Sequence, residues 1–326
     1  MVKKVTLGDA NVTAIAYGCM GLSQAYEPCD EEQGIRTLNA VLDIGYDHLD
    51  TAALYGFGKN EELLNKAIGH RRSEYFLASK CGLYRDATGK REINGRPEVL
   101  TKTCEDSLRR LGTDCIDLYY LHRIDLNVPV EDSIGALMNM RDQGKIRFIG
   151  LSEPSPETLE KALNLCQIAA VQSELSLWTR SPNDTVANIC GRKGIAFVSY
   201  SPLGRGFFGG KVRDTAVLTE KDIRHTMPRF QADNFASNLK RLDELSALAD
   251  ENGITVAQLA LAWVMAQGDH ILAIPGTRFE DRARENLDAA RSLLTDEVIA
   301  HAGRIVSPES TAGERWTETI VREVDS

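Results

Sequence analysis

Short apolar runs alternate with stretches of helical periodicity along most of the chain. Runs of four to eight apolar residues bounded by turn residues are typical of buried strands. Eight such runs predict strands: VTAIAYGCM at 12–20, YDHLDT at 46–51, YFLASK at 75–80, IDLYYLH at 116–122, IRFIGLS at 146–152, AAVQSEL at 169–175, IAFVSYS at 195–201 and HILAIPG at 270–276. Helical stretches follow the first seven and begin near Asp30, Asn60, Pro97, Val130, Pro156, Asn183 and Phe235. The pattern predicts repeated β/α units around a parallel sheet.

Eight β/α units that close into a (β/α)8 barrel form the simplest topology for this pattern, because right-handed crossovers can bring the last strand back to the first. An open doubly wound sheet is the alternative. Its usual G-x-G-x-x-G signature after the first strand is absent, since GCMG at 18–21 does not match it. The α/β barrel is therefore the predicted fold class.

Three segments exceed a minimal barrel, and we expect all of them within a single domain over residues 1–326. VTLGDANV at 5–12 predicts an N-terminal hairpin that plugs the barrel bottom. Residues 204–234 are polar and unpatterned, and a segment of this length in a compact domain predicts a lid over a ligand. LLTDEVIAHAGRIV at 293–306 predicts an extra helix, and residues 306–326 a partly ordered C-terminal tail.

Composition and charge limit the classes of partner and the cellular locations that are expected for this chain. The 326 residues are 43% hydrophobic with a net charge of −9, which disfavours nucleic acid and anionic membranes as partners. The first residues lack the apolar run of a signal peptide, and no uncharged apolar stretch of about 18 residues predicts a membrane span. Seven cysteines without a C-x-x-C pair predict free thiols and a cytoplasmic location. Oligomeric state stays open.

Polar side chains of four kinds lie at the ends of three consecutive predicted strands. Asp50 lies at the end of the strand predicted at 46–51, with Tyr55 in the loop that follows. Lys80 ends the strand predicted at 75–80, and His122 ends the one predicted at 116–122. The carboxyl ends of barrel strands meet at one rim, where barrel enzymes place their chemistry. An acid, a phenol, an amine and an imidazole at neighbouring strand ends therefore predict a proton-transfer site.

Lys80 requires an anion, because a lysine within an apolar strand is rarely buried alone. Asp50 is the expected partner, and the ammonium of Lys80 is expected to lower the pKa of the Tyr55 phenol from about 10. A purely structural ion pair and Schiff-base chemistry at Lys80 stay open as alternatives. No histidine cluster has metal-ligand spacing, so no metal site is predicted.

A second group of candidates lies late in the chain. Arg278 and Arg282 are four residues apart at the start of the eighth predicted helix, with Glu285 and Asn286 one turn further. Helix N-termini and arginines bind phosphate groups, and barrels often hold phosphate beside the loops after strands seven and eight. The alternative is a solvated charged face. Tyr200 and Arg205, after strand seven, add a stacking surface and a further cation.

The candidates fall within an ordered set of motifs: D-T-A-x-x-Y at 50–55, Lys80, L-H at 121–122, G-L-S at 150–152, Gln172, Y-S-P-L at 200–203 and I-P-G-T-R at 274–278. In this order and spacing the chain resembles the aldo-keto reductase family along nearly its whole length. The resemblance implies a (β/α)8 barrel that binds NADPH or NADP across the strand ends, with NADH less favoured. It also implies a small aldehyde, ketone or alcohol as the substrate.

The resemblance also implies roles for individual residues. Tyr55 is the general acid, Lys80 and Asp50 tune its pKa, and His122 orients the carbonyl. The residues implied to contact the cofactor are Met20, Asp50, Ser152, Gln172, Tyr200, Ser201, Leu203, Arg205, Thr277, Arg278, Arg282, Glu285 and Asn286. Among these, Ser152 and Gln172 hold the carboxamide, Tyr200 stacks on the nicotinamide, and the two late arginines meet the 2′-phosphate.

Two positions depart from the family pattern. Glu153 follows the serine where the family commonly has asparagine, and an ionised carboxylate accepts hydrogen bonds without donating any. Gly276 stands where many members have lysine, so phosphate selectivity rests on the arginines. The resemblance also extends to barrels that serve as channel-associated subunits. A non-catalytic, redox-sensing subunit of a partner protein is therefore the alternative function.

Overall fold

The computed structural model describes residues 2–26, 29–85, 90–317, 321 and 324–325 of the chain. Its strands are β1 (Lys4–Leu7), β2 (Ala10–Thr13), β3 (Tyr17–Gly18), β4 (His48–Asp50), β5 (Phe76–Cys81), β6 (Leu83–Arg85), β7 (Arg91–Ile93), β8 (Ile116–Leu121), β9 (Ile146–Ser152), β10 (Ala170–Glu174), β11 (Ala196–Tyr200) and β12 (Ile271–Ala273). Its α-helices are α1 (Glu31–Ile44), α2 (Lys59–Ile68), α3 (Pro97–Leu111), α4 (Val130–Asp142), α5 (Pro156–Leu165), α6 (Asn188–Lys193), α7 (Ala232–Glu251), α8 (Val256–Met265), α9 (Glu280–Asp288) and α10 (Asp296–Ile305).

Within the described residues, eight parallel strands form one sheet in the order β3-β4-β5-β8-β9-β10-β11-β12. The two edges of the sheet meet, because Ile15 forms a parallel bridge with Ala273 and the amide of Ala16 donates to the Ala273 carbonyl at 2.8 Å. Every residue of β5 and β8 is buried, as expected for strands covered on both faces. The predicted (β/α)8 barrel is confirmed.

The start of the barrel is where the apolar pattern was wrong. The pattern predicts one strand over residues 12–20. In the structure, residues 12 and 13 belong to β2 of the antiparallel β1–β2 hairpin, which ends at Thr13. Tyr17–Gly18 form the strand that pairs with β4, Ile15 makes an isolated bridge to β12, and Cys19–Leu22 form a 3-10 turn. Residues 14–16, between the hairpin and the barrel strand, are all apolar and buried, so the pattern does not show the boundary between the two elements.

The predicted hairpin is confirmed, with its turn at Gly8 and Asp9. It covers the end of the barrel where the strands begin, because the amide of Thr13 donates to the Asp47 carboxylate at 2.8 Å, just before β4. The turn lies against Phe148. Gly8 has a φ of +63°, and a Cβ there would lie 2.5 Å from the Phe148 ring, so both the conformation and the space require glycine.

Local start signals predicted several helices closely. The Asp30 side chain accepts from the amide of Gln33 at 2.7 Å, and Ser155 accepts from Thr158 at 3.1 Å, so both are N-caps as predicted. The sixth helix differs from the prediction. A π-helical turn at Asn183–Ala187 precedes α6, which itself has six residues.

Two loops contain structure that the apolar pattern did not predict. β6 and β7 pair as a small antiparallel hairpin after β5. Residues 204–234 contain four 3-10 turns, at Phe207–Gly209, Thr215–Val217, Ile223–Thr226 and Pro228–Phe230. Turns of three or four residues present no repeating face, so periodicity does not detect them.

The predicted extra helix is confirmed as α10. The described part of the chain contains no helix with the length and hydropathy needed to cross a bilayer. All seven cysteines are free, and they belong to the described residues. Burial raises the pKa of the Cys81 thiol above its usual value, which fits a structural thiol rather than a reactive one.

Candidate active site

Three neighbouring strands of the barrel hold the four proton-transfer candidates. β4, β5 and β8 are adjacent in the sheet, with Asp50 opposite Ala78 and Lys80 opposite Tyr120. Asp50 ends β4, Lys80 is the second-last residue of β5, and His122 directly follows β8. Because these strands are parallel, their carboxyl ends lie on the same rim. The three strands that the sequence predicts one after another are therefore neighbours in the sheet.

Lys80 and Asp50 form a buried ion pair beneath the rim, with side chains 0% and 2% exposed. The Lys80 ammonium donates to Asp50, to the Thr51 carbonyl at 2.8 Å and to the Tyr55 hydroxyl at 3.3 Å. Burial alone lowers the pKa of Lys80, but Asp50 and Tyr55 outweigh it, so the pKa lies above its usual value. Lys80 is therefore a charged ammonium that contacts the Tyr55 phenol.

The pKa of Tyr55 differs from the prediction in its direction. Burial raises the pKa of the phenol above its usual value of about 10, and the opposing effect of Lys80 does not cancel that increase. The predicted net lowering is therefore wrong, because desolvation of the phenolate exceeds the attraction of one paired ammonium. Tyr55 is therefore protonated at neutral pH.

His122 lies beside Tyr55, with the two rings edge to face and their centroids 6.0 Å apart. Its pKa lies well below 6.5, chiefly because the ring is buried and also because Lys80, Arg123 and Arg91 repel a second positive charge. Nδ1 of His122 has no hydrogen-bond partner among the described residues. His122 is therefore a neutral imidazole, able to act as a hydrogen-bonding group.

A cleft of about 890 Å³ opens over this rim. Every predicted site residue except Lys80 lines it: Met20, Asp50, Tyr55, His122, Ser152, Gln172, Tyr200, Ser201, Leu203, Arg205, Thr277, Arg278, Arg282, Glu285 and Asn286. Lys80 is wholly buried and reaches the cleft through its contact with Tyr55. The strand-end groups and the late arginines therefore share one cleft.

Ser152 and Gln172 link the middle of the cleft to the proton-transfer candidates. The Gln172 amide nitrogen donates to the second carboxylate oxygen of Asp50 at 2.8 Å. The Ser152 hydroxyl accepts from Arg123, whose guanidinium also donates to the His122 carbonyl. Sequence reasoning missed Arg123. The one sequence signal for Arg123 was its position next to His122. No local pattern indicates that the side chain of this arginine turns back to contact Ser152.

The two late arginines lie over one aromatic ring. The guanidinium carbons of Arg278 and Arg282 are 5.1 and 4.6 Å from the ring centre of Phe279, which is the N-cap residue of α9. The Arg278 carbonyl accepts from Gln33 at 3.2 Å and from Thr37 at 2.9 Å, so α1 holds this loop. The structure thus brings two cations together at the start of α9.

Gly276 has a steric explanation. A Cβ at this position would lie 2.6 Å from the backbone oxygen of Gly18, closer than real Cβ atoms approach. A lysine there requires the backbone of β3 to move away. The absence of the lysine seen in many family members therefore follows from the close contact between this loop and β3.

Glu153 has a partner that sequence reasoning missed. Its side chain is 5% exposed, and Arg315 donates to it at 2.6 Å and to Glu174 at 3.0 Å. Burial alone raises the pKa of Glu174, but Arg315 and Arg205 lower it below its usual value. Two acids at the ends of β9 and β10 were a signal that a cation is required. Nothing in the sequence around Arg315 identified it as that cation.

Fold and site together define the class, a (β/α)8 barrel with titratable side chains at the carboxyl ends of its strands. The Aldo/keto reductase family model matches residues 14–306. Aldo-keto reductase yakc of Schizosaccharomyces pombe, whose name includes NADP(+), is 39% identical over 316 residues, which cover 95% of this chain and 93% of that protein.

Solved structures match over nearly the whole chain. The glycerol dehydrogenase AKR11B4 from Gluconobacter oxydans has a TM-score of 0.86 at 29% identity, covering 97% of this chain and 98% of its own. An aldo-keto reductase from Klebsiella pneumoniae, in complex with NADPH, has a TM-score of 0.73 at 26% identity. The match covers 97% of this chain and 100% of that chain. The chain belongs to the aldo/keto reductase family.

Proposed function

We propose that the protein is an NADPH-dependent oxidoreductase that reduces an aldehyde or ketone to the alcohol, or catalyses the reverse oxidation. The observation that carries the proposal is a single cleft that is lined by Tyr55 and His122 together with Arg278 and Arg282. The Lys80 ammonium lies beneath the Tyr55 hydroxyl. Proton-transfer groups and phosphate-binding cations thus face one ligand space.

The cleft suits a phosphorylated dinucleotide. Its volume lies within the range of roughly 300–1,000 Å³ typical of small-molecule sites. Two guanidiniums at the start of a helix match the charge and geometry of a phosphate monoester, which favours NADPH over NADH. The name of the S. pombe relative and the NADPH complex of the K. pneumoniae neighbour support the same choice.

Each strand-end residue has a defined part in the reduction, for which bound NADPH supplies the hydride. The neutral imidazole of His122 orients the carbonyl oxygen of the substrate by hydrogen bonding. The protonated Tyr55 donates its proton to that oxygen as the alcohol forms. Lys80 stabilises the phenolate that remains, and Asp50 holds Lys80 in place. In the oxidation, Tyr55 acts as the base.

The remaining predicted residues form the cofactor site. Ser152 and Gln172 hold the nicotinamide carboxamide. Tyr200 stacks on the nicotinamide, and Met20 approaches its substrate side. Ser201, Leu203, Arg205 and Thr277 line the middle of the cleft, and Glu285 and Asn286 lie towards the adenosine.

Residues 204–234 act as a lid over the bound ligand. Lys211, Leu218 and Ile223 of this segment line the cleft. The amide of Ile223 donates to the Ala25 carbonyl at 3.0 Å, and the guanidinium of Arg224 lies 5.2 Å from the centre of the Tyr26 ring. These contacts connect the segment to the loop after β3 and support a role in covering the cleft.

The test is a panel of aldehydes, ketones and alcohols assayed with NADPH or NADP and with NADH or NAD. We expect turnover that depends on the cofactor and is faster with the phosphorylated form. A non-catalytic subunit is not favoured, because all four strand-end groups are assembled. Negligible turnover across the panel, together with a stoichiometric partner protein, would reverse that preference.

A further inference from the structure

The C-terminal tail reaches the cleft and is anchored there by contacts apart from the strand ends. The Asn238 side chain exchanges two hydrogen bonds with the backbone of Ala312, at 2.9 and 3.0 Å. Arg229 donates to the Gly313 carbonyl at 3.2 Å. This anchored backbone places Arg315 beside the strand ends, and the next residue, Trp316, lines the cleft.

Arg315 connects three strand ends. Its guanidinium donates to Glu153 after β9, to Glu174 at the end of β10 and, at 3.3 Å, to the hydroxyl of Tyr200 at the end of β11. The Trp316 ring lies against Arg315 and Arg205, with centroid distances of 4.9 and 4.5 Å. The Arg315 side chain is 19% exposed, so most of its charge faces these groups rather than water.

Glu153 is held in an uncommon conformation at this cluster. Its φ is +51°, a left-handed value that residues with a long side chain rarely adopt. The carboxylate oxygen bound by Arg315 also accepts from the amide of Glu174 at 2.9 Å. Strain of this kind persists where surrounding contacts hold the residue, and it is common at functional sites.

We propose that Arg315 is a positioning residue that sets the relative affinity of the site for NADPH and NADP+. The inference rests on the proposed function, in which Tyr200 stacks on the nicotinamide and Ser152, the residue before Glu153, holds its carboxamide. The oxidised ring carries a positive charge and the reduced ring is neutral. A guanidinium that binds the Tyr200 hydroxyl and Glu153, one residue from Ser152, therefore opposes the oxidised form and leaves the reduced form nearly unaffected.

Charge changes at the cluster have opposite predicted signs. Arg315→Gln removes a positive charge and should lower the ratio of the NADP+ to the NADPH dissociation constant by about tenfold, since charge effects are strong at buried sites. Glu153→Gln removes a negative charge and should raise the same ratio. Arg315→Lys keeps the charge and should leave the ratio within about threefold of wild type.

The experiment measures both dissociation constants by tryptophan fluorescence titration for the wild type and each variant, with circular dichroism to verify folding. Asn238→Ala is the matched control, because it loosens the same tail without changing charge. Its two dissociation constants should change in parallel. The opposite signs of Arg315→Gln and Glu153→Gln allow either variant to test the proposal if the other does not fold.

An unchanged ratio in Arg315→Gln, or a fall of the same size in Asn238→Ala, would overturn the inference and leave Arg315 as a tail anchor. A ratio that moves in the same direction for Arg315→Gln and Glu153→Gln would overturn it as well. If the wild-type chain binds neither form of the cofactor, the proposed function itself fails and this inference fails with it.

Discussion

Two groups of charged residues at the cleft lie in different surroundings. The Lys80–Asp50 pair is almost completely buried beneath Tyr55. Arg278, on the loop before α9, is half-buried, and Arg282, in the first turn of α9, is exposed. Electrostatic effects are strong in the buried interior and weak where water and salt screen them. The same kind of charged group therefore has different consequences in the two groups.

Burial determines the chemistry at the strand ends. It raises the pKa of Tyr55 in spite of the adjacent ammonium and lowers the pKa of His122 well below its usual value. In the proposed function, the solvent-accessible guanidiniums of Arg278 and Arg282 provide affinity through direct contact with an anion. Substitutions at the strand ends should therefore change the rate of the chemical step, whereas substitutions of the two arginines should change cofactor affinity.

The largest effect is expected from Tyr55→Phe. Loss of the proposed general acid should reduce kcat by about 10²–10⁴-fold, while the dissociation constant of NADPH changes by less than about twofold. Steady-state kinetics and fluorescence titration measure the two quantities. Tyr26→Phe is the control, because Tyr26 lines the same cleft and its ring lies against Arg224 instead of Lys80. Turnover close to wild type in Tyr55→Phe would refute the assignment.

A smaller effect, on affinity, is expected from replacing Arg278 and Arg282 together by glutamine. Losing two charge-assisted contacts should raise the dissociation constant of NADPH by about 10–100-fold and leave that of NADH nearly unchanged. Titration with both cofactors measures this. Arg284→Gln is the matched control, because Arg284 is an exposed residue of the same helix. If the double variant keeps the wild-type preference for NADPH, the phosphate assignment is wrong.

The smallest change is expected with pH. A general acid must be protonated, and the raised pKa of Tyr55 keeps it so at neutral and mildly alkaline pH. The reduction rate at saturating NADPH should therefore be nearly constant from about pH 6 to 9 and fall only above about pH 10. Single-turnover rates across this range provide the measurement. A decline centred near pH 7 would contradict the pKa direction and point to another titrating group.

Much of the fold was predictable because its signals are local. The strands at 75–80 and 116–122, together with the N-caps Asp30 and Ser155, depend on residues that are adjacent in the chain. The strand-end candidates converged because consecutive β/α units place consecutive strands side by side. The first strand was misplaced because two different elements share one apolar run. The 3-10 turns within residues 204–234 were missed because they have no repeating face.

The sequence by itself determined the repeating strand-and-helix pattern, the order of the strands and the residue types at their ends, since each follows from short-range spacing. Only the tertiary structure decided which charges are buried and which partners they meet. The reversed pKa shift of Tyr55 depends on how much protein surrounds the phenol. The contact between Arg315 and Glu153 joins residues 162 positions apart, and no local pattern encodes a pairing at that distance.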